Sequence, residues 1–178
     1  ITAVPRLLEL LELTGAVVTM DAMHCQKNTI AAIRAKGADY LIAVKDNQPK
    51  LHRLLQELFI SYGEQDYKVP GLRCQKTVER NRGRDETRIC YAIAAPAELR
   101  QHPEWNDVHS VVMIYRECQR QGQLQQEVSF FLTSLPPKVK RIANYIRGHW
   151  GIENTLHWTL DVIFAEDRSR IRTGNAPE

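Results

Sequence analysis

The chain has 178 residues, 43% hydrophobic and 25% charged, enough for one medium globular domain with a real core. Its formal net charge of +3, with six histidines uncounted, permits a polyanionic partner without demanding one. The four cysteines, Cys25, Cys74, Cys90 and Cys118, form no C-x-x-C pair, which argues against a zinc ribbon or a disulfide framework and fits a reducing cytosol. No apolar run approaches a membrane span and no basic-then-apolar signal opens the chain, so a cytoplasmic protein with no membrane partner is expected.

In chain order, Pro5–Leu13 carries leucines at helical spacing and predicts a short helix ended by Gly15. Ala16–Met20 is a β-branched run of buried-strand type that leads straight into Asp21. A helix of about three turns follows, closed by Gly37. Asp39–Lys45 reads as a second buried strand. The next segment is again helical, with Pro49 early and Gly63 late. This alternation is α/β grammar with parallel neighbouring strands.

The middle of the chain changes character. Two stretches, 73–95 and 107–135, each place β-prone flanks around a polar turn and predict hairpins, the second turning at Gly122. After Pro136 and Pro137 the pattern becomes helical again. The expected organisation is an α/β part over 1–66, a β-rich part over 67–135, and C-terminal helices over 136–178.

Chemistry is expected where charge meets these elements. Asp21 lies just past a strand, where open α/β sheets bind ligands, although an Asp there also suits a helix cap. Far downstream, HWGIENTLHWTLDV sets His149, Glu153, His157 and Asp161 four apart, with Glu153 and His157 sharing one helical stripe. Two carboxylates from separate elements can hold Mg²⁺ or Mn²⁺, which prefer oxygen ligands. The same stripe is also compatible with a solvated or core-edge face.

Lys45, Asn47 and Gln48 follow the second strand at the same crevice and suit either DNA contacts or an ordinary loop. The first hairpin holds Arg73, Lys76, Arg80, Arg82, Arg84 and Arg88, which suit either a phosphate-contacting edge or a charged edge that resists aggregation. Trp105, Trp150 and Trp158 suit base stacking or a core.

Four stretches, VVTMDAMHCQK, DYLIAVKDNQPKL, RGRDETR and IRGHWGIENTLHWTLDVIFAEDRSR, resemble bacterial insertion-sequence transposases of the DDE type, in the branch of the H-repeat-associated proteins. They span almost the whole chain in family order. The resemblance implies an RNase H-like α/β core, with a β-rich insertion before the C-terminal catalytic helix. It implies metal-dependent DNA cleavage and strand transfer on double-stranded DNA, at element ends and target, by a homo-oligomer.

Of the family's three catalytic carboxylates, the second matches Asp21 and the glutamate matches Glu153. The first would lie upstream of Ile1, together with the first strands of the sheet, so the sequence is expected to be an inactive fragment. The family's arginine four residues before the glutamate is His149 here, and its lysine seven after is Leu160. DNA contacts are therefore expected from Arg147, His149 and His157, beside the hairpin arginines and the Lys45 loop. Two rivals remain. One is a restriction-type nuclease, for which Lys45 is present but Ala43 stands where a glutamate is needed. The other is a transposase-derived DNA-binding protein without catalysis.

Overall fold

The computed structural model describes residues 3–81, 84–102, 105, 107–120 and 122–151. The first third follows the expected alternation. Helix α1 (Ala3–Leu10) leads to strand β1 (Val17–Met20), and a 3-10 turn (Ala22–His24) precedes helix α2 (Lys27–Ala35). Strand β2 (Asp39–Val44) then leads to helix α3 (Pro49–Gly63). Helix α1 stops at Leu10, three residues short of the predicted end.

Helix α2 closes as its sequence predicts. Gly37 takes a φ of +67°, its N–H donates to the Arg34 carbonyl at 3.0 Å, and the Ala38 N–H donates to the Ile33 carbonyl at 3.3 Å. These two bonds form a Schellman cap and satisfy carbonyls the helix leaves open. The reversal returns the chain so that β1 and β2 pair in parallel, Val17 opposite Asp39 through Met20 opposite Ile42.

Both hairpins are present. Strands β3 (Arg73–Asn81) and β4 (Arg84–Ala94) form the first; a one-turn helix α4 (Ala97–Arg100) follows, and β5 (Ser110–Arg120) and β6 (Gln123–Thr133) form the second. Gly122 has a φ of +77°, the left-handed conformation its turn requires. The sequence pattern does not disclose how the hairpins join the α/β part. All six strands belong to one sheet in the order β1-β2-β6-β5-β4-β3, with β6 antiparallel to β2.

Buried hydroxyls fasten that seam. The Thr133 hydroxyl donates to the Tyr40 carbonyl at 2.6 Å and accepts the Leu135 N–H at 3.0 Å. The Ser134 hydroxyl accepts the Tyr40 N–H at 3.0 Å and donates to the Asp39 carboxylate at 2.8 Å. On the other side of β6, the Ser110 hydroxyl of β5 donates to the Leu135 carbonyl at 2.6 Å.

Helices cover both faces of the sheet. On one, Tyr40, Ile42, Val44, Val111, Phe130 and Leu132 pack against Ile30 and Ile33 of α2 and Leu55 and Phe59 of α3. Trp105 is buried in that core, so of the two roles its sequence allows it takes the packing one. On the other face, helix α5 (Val139–Gly151) lies over Leu41, Cys90, Ala92, Val112 and Phe131. Its Val139, Ile142, Ala143, Ile146 and Trp150 recur at helical spacing and form the stripe that meets the sheet.

The outer halves of the hairpins leave the core. Strand β5 is buried from Ser110 to Met113, half-buried to Glu117, buried again at Cys118 and exposed only at Gln119 and Arg120, and β6 is exposed from Gln123 to Val128 before its last four residues are buried. Two paired hairpins therefore extend from the core as an arm. No described helix is long and apolar enough to cross a membrane.

Two measurements test this packing. Ile142→Ala removes a fully buried side chain between α5 and the sheet, and an unfolding titration is expected to show a loss of about 2–5 kcal/mol; Leu10→Ala, at an 85% exposed position, is expected to lie within about 0.5 kcal/mol of the parent. Burial pushes the thiols of Cys25 and Cys90 up to about 12. At pH 8 a thiol reagent is therefore expected to modify the exposed Cys74 first, and Cys25 and Cys90 only as the chain unfolds.

Candidate active site

Because β1 and β2 run in parallel, their carboxyl ends open on the same edge of the sheet, and Asp21 and Lys45 emerge there from Met20 and Val44. Ligands in open α/β sheets sit beyond such ends. The 3-10 turn after β1 distinguishes the two roles that the sequence leaves open for Asp21. Its main-chain carbonyl accepts the His24 N–H at 3.0 Å, but its side chain makes no capping bond. The carboxylate, 60% exposed, instead meets the imidazole of His149 from the last turn of α5.

That contact is a three-residue chain. His149 Nε2 lies 3.1 Å from Asp21 Oδ1, and its Nδ1 lies 3.0 Å from the Thr19 hydroxyl on β1. Thr19 and Asp21 are two residues apart on an extended segment, so both address α5. A carboxylate only accepts, so Nε2 carries the proton; in the neutral ring Nδ1 then accepts from the Thr19 hydroxyl. His149 thus turns inward, whereas its sequence position suggests a DNA phosphate contact.

Asp21, Lys45, His149 and Trp150 line one cavity of about 140 Å³, together with Glu127 and Ser129 of β6. The loop after β2 also braces the turn after β1. Asn47 donates through Nδ2 to the Ala22 carbonyl at 2.5 Å, and Gln48 through Nε2 to the Cys25 carbonyl at 2.8 Å. These two amides, expected at DNA, are engaged in holding the loop beside Asp21. Lys45 is exposed at the cavity's lip.

The oxygen donors at this edge suit a hard divalent ion, which keeps several waters and needs only one or two protein carboxylates. Asp21 fits as one such ligand. Among the described residues no group of three or more His, Cys, Asp or Glu is close enough to hold a metal by itself. Glu153 and His157, and with them Asp161, lie outside the described residues, as does Arg82.

The remaining basic candidates sit away from this edge, in the hairpins and on α5. Arg88 and Arg116 both pair with Glu86, which is only 5% exposed, the second at 3.1 Å. Arg116 also reaches Glu127 at 3.3 Å, and its guanidinium lies 5.8 Å from the centre of the Trp150 ring. Arg147 of α5 pairs with Glu79 of β3, so the helix is tied to the hairpin as well as to Asp21. Arg80, 80% exposed, makes a loose 3.7 Å contact with Asp85, and Arg84 opens β4 opposite Asn81.

Sequence reasoning missed Thr19, Glu127 and Ser129. Thr19 was within reach, since its two-residue offset from Asp21 puts both on one side of an extended chain. The other two enter only through the β2–β6 pairing, which no local pattern announces.

The Transposase DDE domain family matches residues 1–178. Over its full length the chain is 39% identical to "Putative transposase YncI" of Escherichia coli O157:H7, covering 46% of that protein. It is 34% identical to "H repeat-associated putative transposase YhhI" of Escherichia coli strain K12, covering 48% of it, again over the full chain. The chain spans about half the length of the curated relatives it matches. No solved structure matches it at a significant level.

The ion cluster around Glu86 is expected to contribute to stability. Glu86→Ala would leave Arg88 and Arg116 without their shared buried carboxylate, and an unfolding titration is expected to register a loss of about 3 kcal/mol. Arg80→Ala, at an exposed ion pair, is expected to cost under about 1 kcal/mol.

Proposed function

From the premise that the chain belongs to the Transposase DDE domain family, we propose that it forms part of the catalytic core of a DNA transposase. In this reading the full-length protein acts in the bacterial cytoplasm on double-stranded DNA. It cleaves at element ends and transfers strands to a target, working as a homo-oligomer. The observation that carries the reading is the state of Asp21. Its carboxylate sits at the carboxyl end of a central strand, makes no cap, and is held from across the sheet by α5, whose sequence leads directly to Glu153.

Asp21 and Glu153 would hold the divalent ion, Mg²⁺ or Mn²⁺. The helical reading of 149–161 sets Glu153 one turn beyond His149, which meets Asp21. The remaining carboxylate of a three-acid set is expected from the half of the relatives' length that this chain does not span. When bound, the metal activates an oxygen nucleophile and stabilises charge on the transferred phosphate, so no nucleophilic side chain is needed.

The chain's own residues have separate tasks. Lys45, at the lip of the cavity, is suited to neutralise a DNA phosphate next to Asp21. On the first hairpin, Arg80 is exposed and suited to meet the duplex further away, in a contact that would fix register rather than read sequence; Arg82 and Arg84 are expected beside it from the sequence, whereas Arg88 is engaged by Glu86. Asn47 and Gln48 act indirectly, by holding the turn that follows Asp21.

The experiment is metal-dependent cleavage of element-end DNA by the full-length protein. Asp21→Asn and, separately, Glu153→Gln are each expected to lower the rate by at least about 10³-fold, roughly 4 kcal/mol of transition-state stabilisation, while DNA binding persists. Unchanged cleavage in the Asp21 variant would remove the catalytic assignment. Salt-dependent binding with no metal-dependent cleavage by the parent would assign a DNA-binding protein instead.

Lys45→Ala is expected to weaken binding to all duplexes alike and to lower the salt slope by about 1. Abolished cleavage with unaltered DNA binding in that variant would point to a restriction-type site.

A further inference from the structure

We propose that His149 is a positioning residue for Asp21, and that the Thr19 hydroxyl holds its ring in the orientation that presents Nε2 to the carboxylate. The inference rests on the proposed role of Asp21 as a metal ligand. It gives His149 a different task from the phosphate contact suggested by its place in the sequence.

The argument begins with the freedom of Asp21. A carboxylate that is 60% exposed at the end of a strand, with no capping bond, has several rotamers open to it. Each must be given up when an ion binds, and that ordering costs affinity. The bond from His149 Nε2 at 3.1 Å fixes Oδ1 and leaves Oδ2 for an ion. The carboxylate is thus ordered before the metal arrives.

The ring needs the same treatment. A neutral imidazole carries one N–H, and the wrong tautomer would face the Asp21 carboxylate with a lone pair. The Asp21 carboxylate, which only accepts, draws the proton to Nε2, and Thr19 Oγ1, 3.0 Å from Nδ1, can then donate to that nitrogen and hold the ring in this orientation. His149 is only 21% exposed on its side chain, and Ile146 and Trp150 on the same helix pack against the sheet, so the ring has little room to leave. Outer-shell partners of this kind are typically worth 10–100-fold in metal affinity.

The test is Mn²⁺ binding to the full-length protein by paramagnetic resonance, alongside DNA affinity and cleavage. His149→Phe is expected to weaken Mn²⁺ binding about 10–100-fold with DNA affinity unchanged. His149→Gln, whose amide N–H reaches a comparable distance, is expected to recover most of it. Thr19→Val, nearly isosteric, is expected to weaken Mn²⁺ binding several-fold, and Thr19→Ser to restore it.

Normal Mn²⁺ binding in both His149→Phe and Thr19→Val would overturn the inference. A loss of DNA affinity alone in His149→Phe would return the residue to the phosphate, and failure of His149→Gln to recover Mn²⁺ binding would make it a direct ligand; either result overturns the positioning role. Asp21→Asn separates the two levels of the argument. If that variant binds Mn²⁺ like the parent, the proposed metal site itself is wrong; if it fails to bind while the His149 and Thr19 variants bind normally, only the positioning role falls.

Discussion

The antiparallel seam between β2 and β6 determines where everything else in this protein lies. Residues Asp39 and Tyr40 on one side and Thr133, Ser134 and Leu135 on the other exchange buried hydrogen bonds through two side-chain hydroxyls, and Ser110 adds a third from β5. Each bond contributes about 1 kcal/mol net, but breaking one inside the core costs more, because a buried polar group is left without a partner. A slip of one residue would also turn Leu132, which faces α2 and α3, toward α5, and would invert every other strand residue with it. Polar pairing and apolar alternation therefore specify the same register. Strands β5, β4 and β3 inherit their places from β6 through successive antiparallel pairings.

The same seam aims α5. The helix starts at Val139, a few residues after Thr133 leaves the sheet, and crosses the face formed by Leu41, Phe131, Val112 and Ala92. Its last turn then reaches β1, and His149 meets Thr19 and Asp21. The helix is braced on its other side as well, through Arg147 to Glu79 and through Trp150 beside Arg116. One element thus links the Asp21 edge of the sheet to the first hairpin, through the His149–Asp21 and Arg147–Glu79 contacts.

Local features of the fold were legible in the sequence because short-range physics controls them. Gly37 ends α2 through a left-handed cap, Pro49 opens α3, and the β-branched run before Asp21 is a strand. Even Asp21 and Lys45 at a common edge followed from two parallel strands. The β2–β6 pairing was not legible, since nothing near Asp39 indicates a partner some ninety residues away. Nor were the ion pairs that occupy Arg88 and Arg147, because a run of arginines shows charge but not which carboxylates fold against it. Asn47 and Gln48 illustrate the same limit: a polar loop at a crevice looks identical whether it faces a ligand or holds up its neighbour.

The arm formed by the outer halves of the hairpins has a different standing from the rest of the sheet. From Gln123 to Val128 its residues are exposed, and β4 and β5 reach past the core by extended strands of eleven residues each, about 35 Å in full. Toward Gly122, where Gln119, Arg120 and the residues from Gln123 to Gln126 are exposed, register is inherited from the core rather than set by packing. Pairs of residues added or removed symmetrically near Gly122 would therefore change the arm's reach while leaving the seam, the helix and Asp21 where they are. The length of the second hairpin is thus uncoupled from the geometry of the Asp21 edge.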